Sequence, residues 1–538
     1  MPDFVISEFG GLNTKKEDPS NGIVLPTKIA KNVDLRGGII KPFSTDKILE
    51  TGRTGEIAKY GNNIVSGNSN YVTLTLNGFD MLIYKDKASG KWKRAVKKPT
   101  GDLSTSFSVD NLSQTTPAKP TLQPLPNDTT KVRAEAASVG WFYEMAYVIT
   151  FVRSADGYRD ESAPSDISIV QSERLGFRVQ RPAESGANII GWNIYRLSTG
   201  YRATGSFQKV AEVGIGQNYF DDYTPGSELN GTLKGIFSDD GVTVLRQPAP
   251  VDFDGMCSRL YYGQTVAWKD ETLYISEPNQ PESYPAQYQI PCSSRVLSVE
   301  AYGGDLYAFT ENGVQRIVGD NPITASILPD YIGHRVSSRR GTVSTEYGLF
   351  YAYKTGIARV TGSASESISR NLLGEEYFKS IDMKSVHLAY GDGILYIFHS
   401  KGTLLFIQER GIGFIELTNI YDGAYYDRKN GVIVATRNSS AWELFEGTGV
   451  LTVQYRQDGL VLNQPDDKRY SQLRVFGTGK FNCILYLEGK ERNRRVLDLD
   501  GMPRDRIINF AHGRLAREAS WELTGTGRIT EIKAVLNG

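Results

Sequence analysis

A strand, a glycine turn and a second strand recur through the middle of this chain, and this repeat constrains the fold more than any other feature. Clear copies occupy residues 302–319, 347–360 and 391–407, a looser copy lies at 430–445, and an earlier one covers 268–276. The copies are spaced by about 33 to 46 residues, the length of a four-stranded propeller blade. A lone hairpin cannot bury its apolar face, whereas stacked blades cover one another and leave few open edges. We therefore predict an all-β protein built on a β-propeller.

The repeat divides the chain into four predicted segments. Residues 1–116 contribute strands to the propeller, including a possible sixth copy at 63–93. Residues 117–247 open with a stiff proline-rich linker and continue with closely spaced strand signals, which predict an inserted β-sandwich of the immunoglobulin or fibronectin III kind. Residues 248–446 carry the main blades, and 447–538 predict a C-terminal antiparallel β-sandwich. Helices are scarce, and we expect one or two turns at 382–387.

Composition and charge exclude some classes of protein. The 538 residues carry 61 basic and 61 acidic side chains, which argues against a protein that coats nucleic acid but permits one that surrounds DNA without gripping it. Cys257, Cys292 and Cys483 are too few and too far apart for a disulfide framework, so we expect them to be reduced and buried. The N-terminus does not have the pattern of a signal peptide, and we find no apolar run that predicts a membrane span. We expect a soluble product made in the cytoplasm.

The candidate catalytic and metal-binding residues lack the spacing that such sites need, so we assign no catalytic, cofactor-binding or metal site and no cofactor. The four histidines, His334, His387, His399 and His512, have no zinc-type spacing, and isolated histidines on strands are usually structural. The sequence Gly525-Thr526-Gly527 does not continue into a nucleotide-binding loop and is interpreted as a hairpin turn. The sequence from Asp498 to Gly501 resembles part of a calcium loop, but the first and last ligand positions would be Val496 and Ile507.

Acidic pairs and basic clusters remain as candidates. Asp221-Asp222, Asp239-Asp240 and Asp466-Asp467 could suggest a glycosidase, but neighbouring residues of a strand point to opposite faces. Two basic clusters favour solvated hairpin edges, with docking to an acidic partner or DNA phosphates as the alternative. They comprise Lys91, Lys93, Arg94, Lys97 and Lys98, and Lys490, Arg492, Arg494 and Arg495. Residues 337–340 form a shorter basic cluster, which is interpreted in the same way.

Fragments spread over nearly the whole chain resemble the tail nozzle family (tail tubular protein B) of short-tailed bacteriophages, the podoviruses. They begin with Phe9-Gly10-Gly11-Leu12-Asn13, Asn32-Val33-Asp34-Leu35 and Gly37-Gly38-Ile39-Ile40-Lys41-Pro42. The middle of the chain adds Trp192-Asn193-Ile194-Tyr195-Arg196, Tyr274-Ile275-Ser276-Glu277-Pro278 and Phe309-Thr310-Glu311-Asn312-Gly313, and the end adds residues 521–529. The order of these fragments is more specific than any one of them.

The resemblance implies a non-enzymatic virion protein of the tail. Six copies would form a homohexameric ring below the portal and the head-to-tail adaptor ring. Genomic double-stranded DNA would pass through the lumen during ejection without sequence-specific binding, and tail fibre or tailspike proteins would attach outside. The chain is shorter than some family members, which leaves its outer partners open.

Two alternatives belong to other functional classes. A propeller-type tail protein could bind a receptor or glycan, with Tyr284, Tyr425 and Tyr426 stacking on sugars, although packing is the favoured interpretation of these rings. A polysaccharide hydrolase is less favoured, because a shared propeller does not imply a shared activity.

Overall fold

Strands account for nearly all the regular structure in the computed structural model. It describes residues 4–6, 9, 27–37, 39–51, 57–60, 63–86, 88–97, 108–126, 143–172, 176–184, 186, 188–198, 206–224, 229, 236, 244, 246–250, 252–257, 259–408, 412–427, 431–457, 468–500, 506–509, 515–516 and 519–537. Within those residues, α1 (Gly374–Lys379) is the α-helix, and residues 286–288 form a 3₁₀ turn. The helix predicted at 382–387 is wrong: this segment is a turn, in which the Ser385 backbone N–H donates to the Asp382 carbonyl.

The N-terminal strands precede the long β12. They are β1 (Phe4–Ile6), β2 (Thr27–Lys31), β3 (Val33–Asp34), β4 (Lys41–Pro42), β5 (Lys47–Thr51), β6 (Ile57–Tyr60), β7 (Asn63–Leu76), β8 (Phe79–Asp86), β9 (Trp92–Lys97), β10 (Ser108–Asn111) and β11 (Thr121–Leu125). The strands that follow up to residue 222 are β12 (Tyr143–Ala155), β13 (Tyr158–Glu161), β14 (Ser168–Ser172), β15 (Gly176–Gln180), β16 (Ile189–Ser198), β17 (Gln208–Gly214) and β18 (Tyr219–Asp222).

The central strands are short and closely spaced. They are β19 (Gly255–Met256), β20 (Val266–Lys269), β21 (Thr272–Ile275), β22 (Gln289–Pro291), β23 (Val296–Tyr302), β24 (Asp305–Thr310), β25 (Val314–Val318), β26 (Ser326–Ile327), β27 (Thr342–Thr345), β28 (Gly348–Tyr353), β29 (Gly356–Thr361) and β30 (Ala364–Ser367). After α1 come β31 (His387–Gly391), β32 (Ile394–His399), β33 (Gly402–Ile407), β34 (Gly413–Leu417), β35 (Gly423–Asp427), β36 (Val432–Arg437) and β37 (Ser440–Glu443).

The C-terminal strands include the two longest among the described residues. They are β38 (Val453–Gln457), β39 (Lys468–Leu487), β40 (Lys490–Asp498), β41 (Arg506–Asn509), β42 (Leu515–Ala516) and β43 (Ala519–Asn537). No helix in the described part of the chain has the length and apolar character needed to cross a bilayer.

The chain forms two compact units. The first contains residues 1–69, 312–314 and 332–538, and the second contains 70–311 and 315–331. The four-segment division of the sequence follows different boundaries and stays a prediction.

Four-stranded antiparallel sheets recur in both units. The second unit holds β19-β20-β21-β22 and β23-β24-β25-β26, and the first holds β27-β28-β29-β30. The run β31-β32-β33-β34 also lies in the first unit, but it continues through β2 and β38 into β43, β39 and β40 as part of a 12-stranded sheet. Each sequence repeat corresponds to a hairpin within one of these sheets, such as β20–β21 or β28–β29. Inner strands such as β28 and β32 are buried at every residue. Sheets packed on both sides require strands of this kind.

One further four-stranded sheet of the first unit joins distant parts of the sequence. Its order is β35-β36-β37-β5, so the outer strand comes from near the start of the chain. Ile48 of β5 lies opposite Trp442 of β37, and Lys47 Nζ lies 3.2 Å from Glu443 Oε2. The N-terminal segment thus completes a sheet whose other strands lie nearly four hundred residues later.

Two sheets enclose an apolar core in the second unit. One is β11-β15-β18, and the other is β13-β12-β16-β17 with β14 also paired to β12. The core between them includes Tyr147, Phe151, Phe177 and Trp192, all buried. The second unit also contains β10-β9-β8, which continues into β7.

The long strands β39 and β43 pair through glycines. Gly479 lies opposite Gly527, and Phe481 lies opposite Gly525. A Cβ atom added at Gly525 would lie 2.0 Å from the Lys480 carbonyl oxygen. The hairpin turn predicted at Gly525-Thr526-Gly527 is therefore wrong: the glycines lie inside β43, where they let two backbones approach closely.

Candidate functional site: a buried ionic junction

Charged side chains from distant parts of the sequence meet in the interior of the second unit. Arg94 on β9 lies directly opposite Asp110 on β10, and Arg153 on β12 lies opposite Asp160 on β13. Cross-strand pairing thus brings each arginine beside a carboxylate. The members of this cluster, which we call the ionic junction, are Arg94, Asp110, Arg153, Asp160, Arg246 and Glu282.

Asp160 is the centre of the ionic junction. Its carboxylate lies 2.6 Å from Arg94 Nη2 and 3.0 Å from Arg153 Nε, and it also accepts a hydrogen bond of 2.8 Å from Gln114 Nε2. Its side chain is 1% exposed. Such a carboxylate is stable in the interior only because charged donors surround it.

Arg94 connects the hairpin β9–β10 to the other members. Its Nε donates to Asp110 Oδ1 over 2.7 Å, and its guanidinium lies over the Tyr158 ring at 5.3 Å. The side chain is fully buried. Its Nη1 lies 4.0 Å from Glu282 Oε2, and neither atom makes a hydrogen bond within the described residues.

Arg246 and Glu282 complete the cluster from the segments flanking β19–β21. They form an ion pair with each other, and Arg246 Nη1 donates to Gln280 Oε1 over 2.9 Å. Three guanidinium groups therefore balance three carboxylates. Exact balance matters in the interior, where a lone charge would cost several kcal/mol.

The two buried acids differ in their tendency to ionise. Burial opposes ionisation of Asp160, but Arg94 and Arg153 outweigh it and hold the pKa of Asp160 below its usual value. Burial dominates at Glu282 and raises its pKa, although Arg246 acts in the opposite direction. Asp160 therefore keeps its charge to a lower pH than a free aspartate, whereas Glu282 takes up a proton more readily than a free glutamate.

A cleft of about 280 Å³ lies beside the ionic junction. Its lining includes Lys93, Asn111, Gln114 and Ile189, and it reaches Asp110 and Arg153. Arg153 is committed elsewhere, since its Nη1 and Nη2 donate to the carbonyls of Asn111 and Leu112 over 2.6 and 2.9 Å. The junction therefore suits rigid connection of β9–β10, β12–β13 and the segments around β19–β21 better than proton transfer to a substrate.

The sequence did not reveal this junction. Arg94 was grouped with a solvated basic cluster, but β9 is covered on both faces, and Arg94 and Lys97 are buried. Lys98 lies outside the described residues. A charged residue inside an otherwise apolar strand could have indicated the junction, because such a charge needs a buried partner. Arg153, between Val152 and Ser154, is a residue of this kind.

The second basic cluster lies on β40, where Lys490, Arg492, Arg494 and Arg495 are exposed, and β40 pairs only with β39 among the described strands. The sequence predicts a solvated hairpin edge there, and the four basic side chains are exposed to solvent. Arg494 pairs with Glu491 over 3.0 Å.

The acidic pairs do not converge on a shared site where they are described. Asp222 is fully buried beside Arg196 and accepts a hydrogen bond of 2.8 Å from the Tyr147 hydroxyl. Asp221 points the other way and pairs with Arg178 at 2.7 Å. Asp239-Asp240 and Asp466-Asp467 lie outside the described residues.

The remaining candidates have local structural roles. His387 is buried and stacked on Phe398, and burial lowers the pKa of His399 to about 4. His334 stacks on Tyr353, and His512 is not described.

Asp498, in the segment that resembles part of a calcium loop, starts a turn: its Oδ1 accepts the Asp500 backbone N–H over 3.2 Å. Among the described residues, no group of three or more histidine, cysteine or acidic side chains is placed to hold a metal ion.

The aromatic residues considered for sugar stacking are mostly packed inside. Tyr284 is 2% exposed and its hydroxyl lies 3.1 Å from Thr265 Oγ1. Tyr425 is 4% exposed, and Tyr426 is half-buried. The packing interpretation holds for Tyr284 and Tyr425.

Comparison with known proteins gives only weak structural similarity. No family model and no curated protein matches this sequence. An exo-β-1,3-galactanase from Phanerochaete chrysosporium is 8% identical, with 91% of this chain and 100% of that chain covered and a TM-score of 0.20. The extracellular domain of a putative hybrid two component system from B. thetaiotaomicron is 9% identical, covering 93% and 72%, with a TM-score of 0.26. Sqt1 from Saccharomyces cerevisiae is 9% identical, covering 78% and 100%, also at 0.26.

Proposed function

We propose that this chain is a non-enzymatic structural protein of a short-tailed phage virion, a nozzle subunit that assembles into a ring around the DNA ejection channel. The main support is the succession of four-stranded antiparallel sheets, one of which takes its outer strand from β5. When a strand from near the start of the chain completes the last sheet of a repeat, the repeat closes on itself and fewer strand edges stay exposed. The fold that we propose is a β-propeller with an inserted immunoglobulin- or fibronectin III-like sandwich and a C-terminal sandwich.

The ionic junction supports a mechanical role. It fixes β9–β10, β12–β13 and the segments around β19–β21 through charge-assisted hydrogen bonds that water does not screen. Together with the ordered resemblance of sequence fragments, this favours a rigid wall element. The balance of 61 basic and 61 acidic residues suits a channel through which DNA slides.

The test is assembly of the purified full-length chain. Size-exclusion chromatography with light scattering and negative-stain electron microscopy should give rings with a central channel, six copies being expected. A chain that stays monomeric at all accessible concentrations and does not bind an adaptor ring would contradict the proposal.

Glycan or receptor binding is the second candidate. Tyr262 and Tyr331, in connections between strands of the second unit, are 53% and 40% exposed, and exposed rings of this kind can stack on sugars. A glycan array with the wild type, with Tyr262→Ala and Tyr331→Ala, and with Tyr219→Ala on β18 as a matched exposed-tyrosine control would test it. Binding lost only in the first two variants would favour this function, and no binding by the wild type would exclude it for the glycans on the array.

A further inference from the structure

The connection between β19 and β20 presents an aromatic side chain at a turn position that normally carries a small one. Tyr261 and Gln264 close the turn by exchanging backbone hydrogen bonds of 3.0 and 2.8 Å, and Tyr262 and Gly263 between them have φ values of 47° and 77°. Positive φ at both central positions is typical of a type I′ turn, whose first position favours asparagine, aspartate or glycine. A bulky residue is strained in this conformation. Tyr262 is nevertheless 53% exposed, so packing within the chain does little to offset the strain.

Other hairpins of the chain show the usual residue choice for such a turn. In each of them a polar residue with a φ of 49° or 50° precedes a glycine, and the pairs are Asn77-Gly78, Asp156-Gly157, Asp392-Gly393 and Glu488-Gly489. Tyr262 departs from this choice and exposes its ring to solvent. A residue held in a strained backbone conformation that packing does not require is a candidate for a role in binding.

An accessible ion pair lies beside the exposed ring. A Cβ atom added at Gly304 would lie 3.2 Å from the Tyr262 hydroxyl, so the ring reaches the turn between β23 and β24, and Asp305 is the next residue. Arg316 Nε and Nη2 lie 2.8 and 2.6 Å from the same oxygen of Asp305, Oδ2. Asp305 Oδ1 is thus left to accept a hydrogen bond from a ligand. The side chains of Asp305 and Arg316 are 18% and 26% exposed.

The segment after β25 adds a second carboxylate. The Tyr261 hydroxyl donates to the Gly319 carbonyl over 2.5 Å, which fixes this segment beside the turn, and Asp320 is exposed. Burial, with smaller effects of Tyr262, Asp305 and Asp320, raises the pKa of Tyr261 to about 12, so both carboxylates lie near that hydroxyl. The aromatic ring and the three charged groups form what we call the Tyr262 site, which consists of Tyr262, Asp305, Arg316 and Asp320.

We propose that the Tyr262 site binds a neutral pyranose unit of a carbohydrate. A pyranose has a face of C–H groups, which fits an exposed aromatic ring, and a rim of hydroxyls, which carboxylate and guanidinium groups bind through charge-assisted hydrogen bonds. The two carboxylates outnumber the one guanidinium of the site, and this excess of negative charge disfavours anionic sugars. The site gives the glycan-binding candidate a location and a ligand class, and it rests on that candidate function rather than on ring assembly.

The test uses the full-length chain on an array of oligosaccharides of glucose, galactose, mannose and N-acetylglucosamine, with sialylated and uronate-containing oligosaccharides as anionic probes. Calorimetric titration with the neutral oligosaccharide that binds most strongly then gives Kd. Tyr262→Asn should raise Kd by about tenfold or more, whereas Tyr262→Phe keeps the ring and should bind nearly as well as the wild type. The thermal midpoint of Tyr262→Asn should not fall, because asparagine is a usual residue at this turn position.

Tyr347→Asn is the matched control. Tyr347 is 43% exposed and lies in the turn between β27 and β28, so its substitution should leave Kd unchanged. Unchanged binding by Tyr262→Asn, or an equal loss in Tyr262→Asn and Tyr347→Asn, would overturn this site while leaving glycan binding as a function. Binding of the anionic probes alone would overturn the ligand class. A wild-type chain that binds none of these probes would overturn the site together with the glycan-binding candidate.

Discussion

Arg94 and Asp110 face each other across β9 and β10, with Arg94 Nε 2.7 Å from Asp110 Oδ1 and both side chains buried. Each side chain stabilises the other only while the positive and negative charges of the ionic junction stay equal in number. The junction is thus a unit whose members cannot be replaced singly without cost.

Arg94→Met should destabilise the second unit strongly. The substitution leaves Asp110 and Asp160 short of their shared guanidinium, and breaking a buried ion pair typically costs about 3–5 kcal/mol. Urea denaturation followed by tryptophan fluorescence measures the loss. The matched control is Arg359→Met, which removes a more exposed pair with Glu366 and should cost less than about 1 kcal/mol. Equal losses in the two variants would contradict the role of the junction.

Acid should weaken the first unit through its buried histidines. Burial, with smaller effects of Arg340 and Lys401, lowers the pKa of His387 well below 6.5 and that of His399 to about 4. The unfolded chain therefore binds more protons below pH 6.5, and stability falls with decreasing pH from there to about pH 4, by at most about 1.4 kcal/mol per pH unit for each histidine.

His399→Asn tests this dependence. Asparagine keeps an acceptor for the Lys401 backbone N–H, which donates to His399 Nδ1 over 3.3 Å, but it does not titrate. The urea midpoint should fall less between pH 7 and pH 5 in the variant than in the wild type. An unchanged pH dependence would show that His399 is already protonated or exposed in the folded state.

Gly525→Ala should disrupt the pairing of β39 with β43. The added Cβ would lie 2.0 Å from the Lys480 carbonyl, so the backbones must move apart, and we expect a loss of more than about 2 kcal/mol. Gly214→Ala is the control, since nothing lies within 4 Å of a Cβ atom there. Thermal unfolding of the two variants makes the comparison, and similar midpoints would be inconsistent with close strand approach.

The three thiols should be inert in the folded protein. Cys257, Cys292 and Cys483 are buried and free, as the sequence predicts, and burial raises the pKa of each to about 12. Little thiolate is then present at neutral pH. Ellman's reagent should react slowly with the native chain and release about three equivalents after denaturation. Rapid reaction in native buffer would contradict this burial.

Periodicity and glycine turns were sufficient to predict the repeated hairpins, because each hairpin is a local structure with its own turn. The same reasoning wrongly predicted a turn at Gly525 and Gly527. Glycine suits a turn and a close contact between strands equally well, and only the pairing with β39 distinguishes the two structures. It also missed Arg94, whose partners Asp160 and Glu282 lie 66 and 188 residues away in sequence. Long-range pairing of charges leaves no periodic signal.

The pairing of β5 with β37 has a consequence for biosynthesis. A ribosome releases Lys47–Thr51 long before Ser440–Glu443 exists, so β5 must wait without its partner while most of the polypeptide is made. Nascent chains are thus exposed for a long time to aggregation and to proteases, and prematurely terminated chains would accumulate with that sheet unfinished.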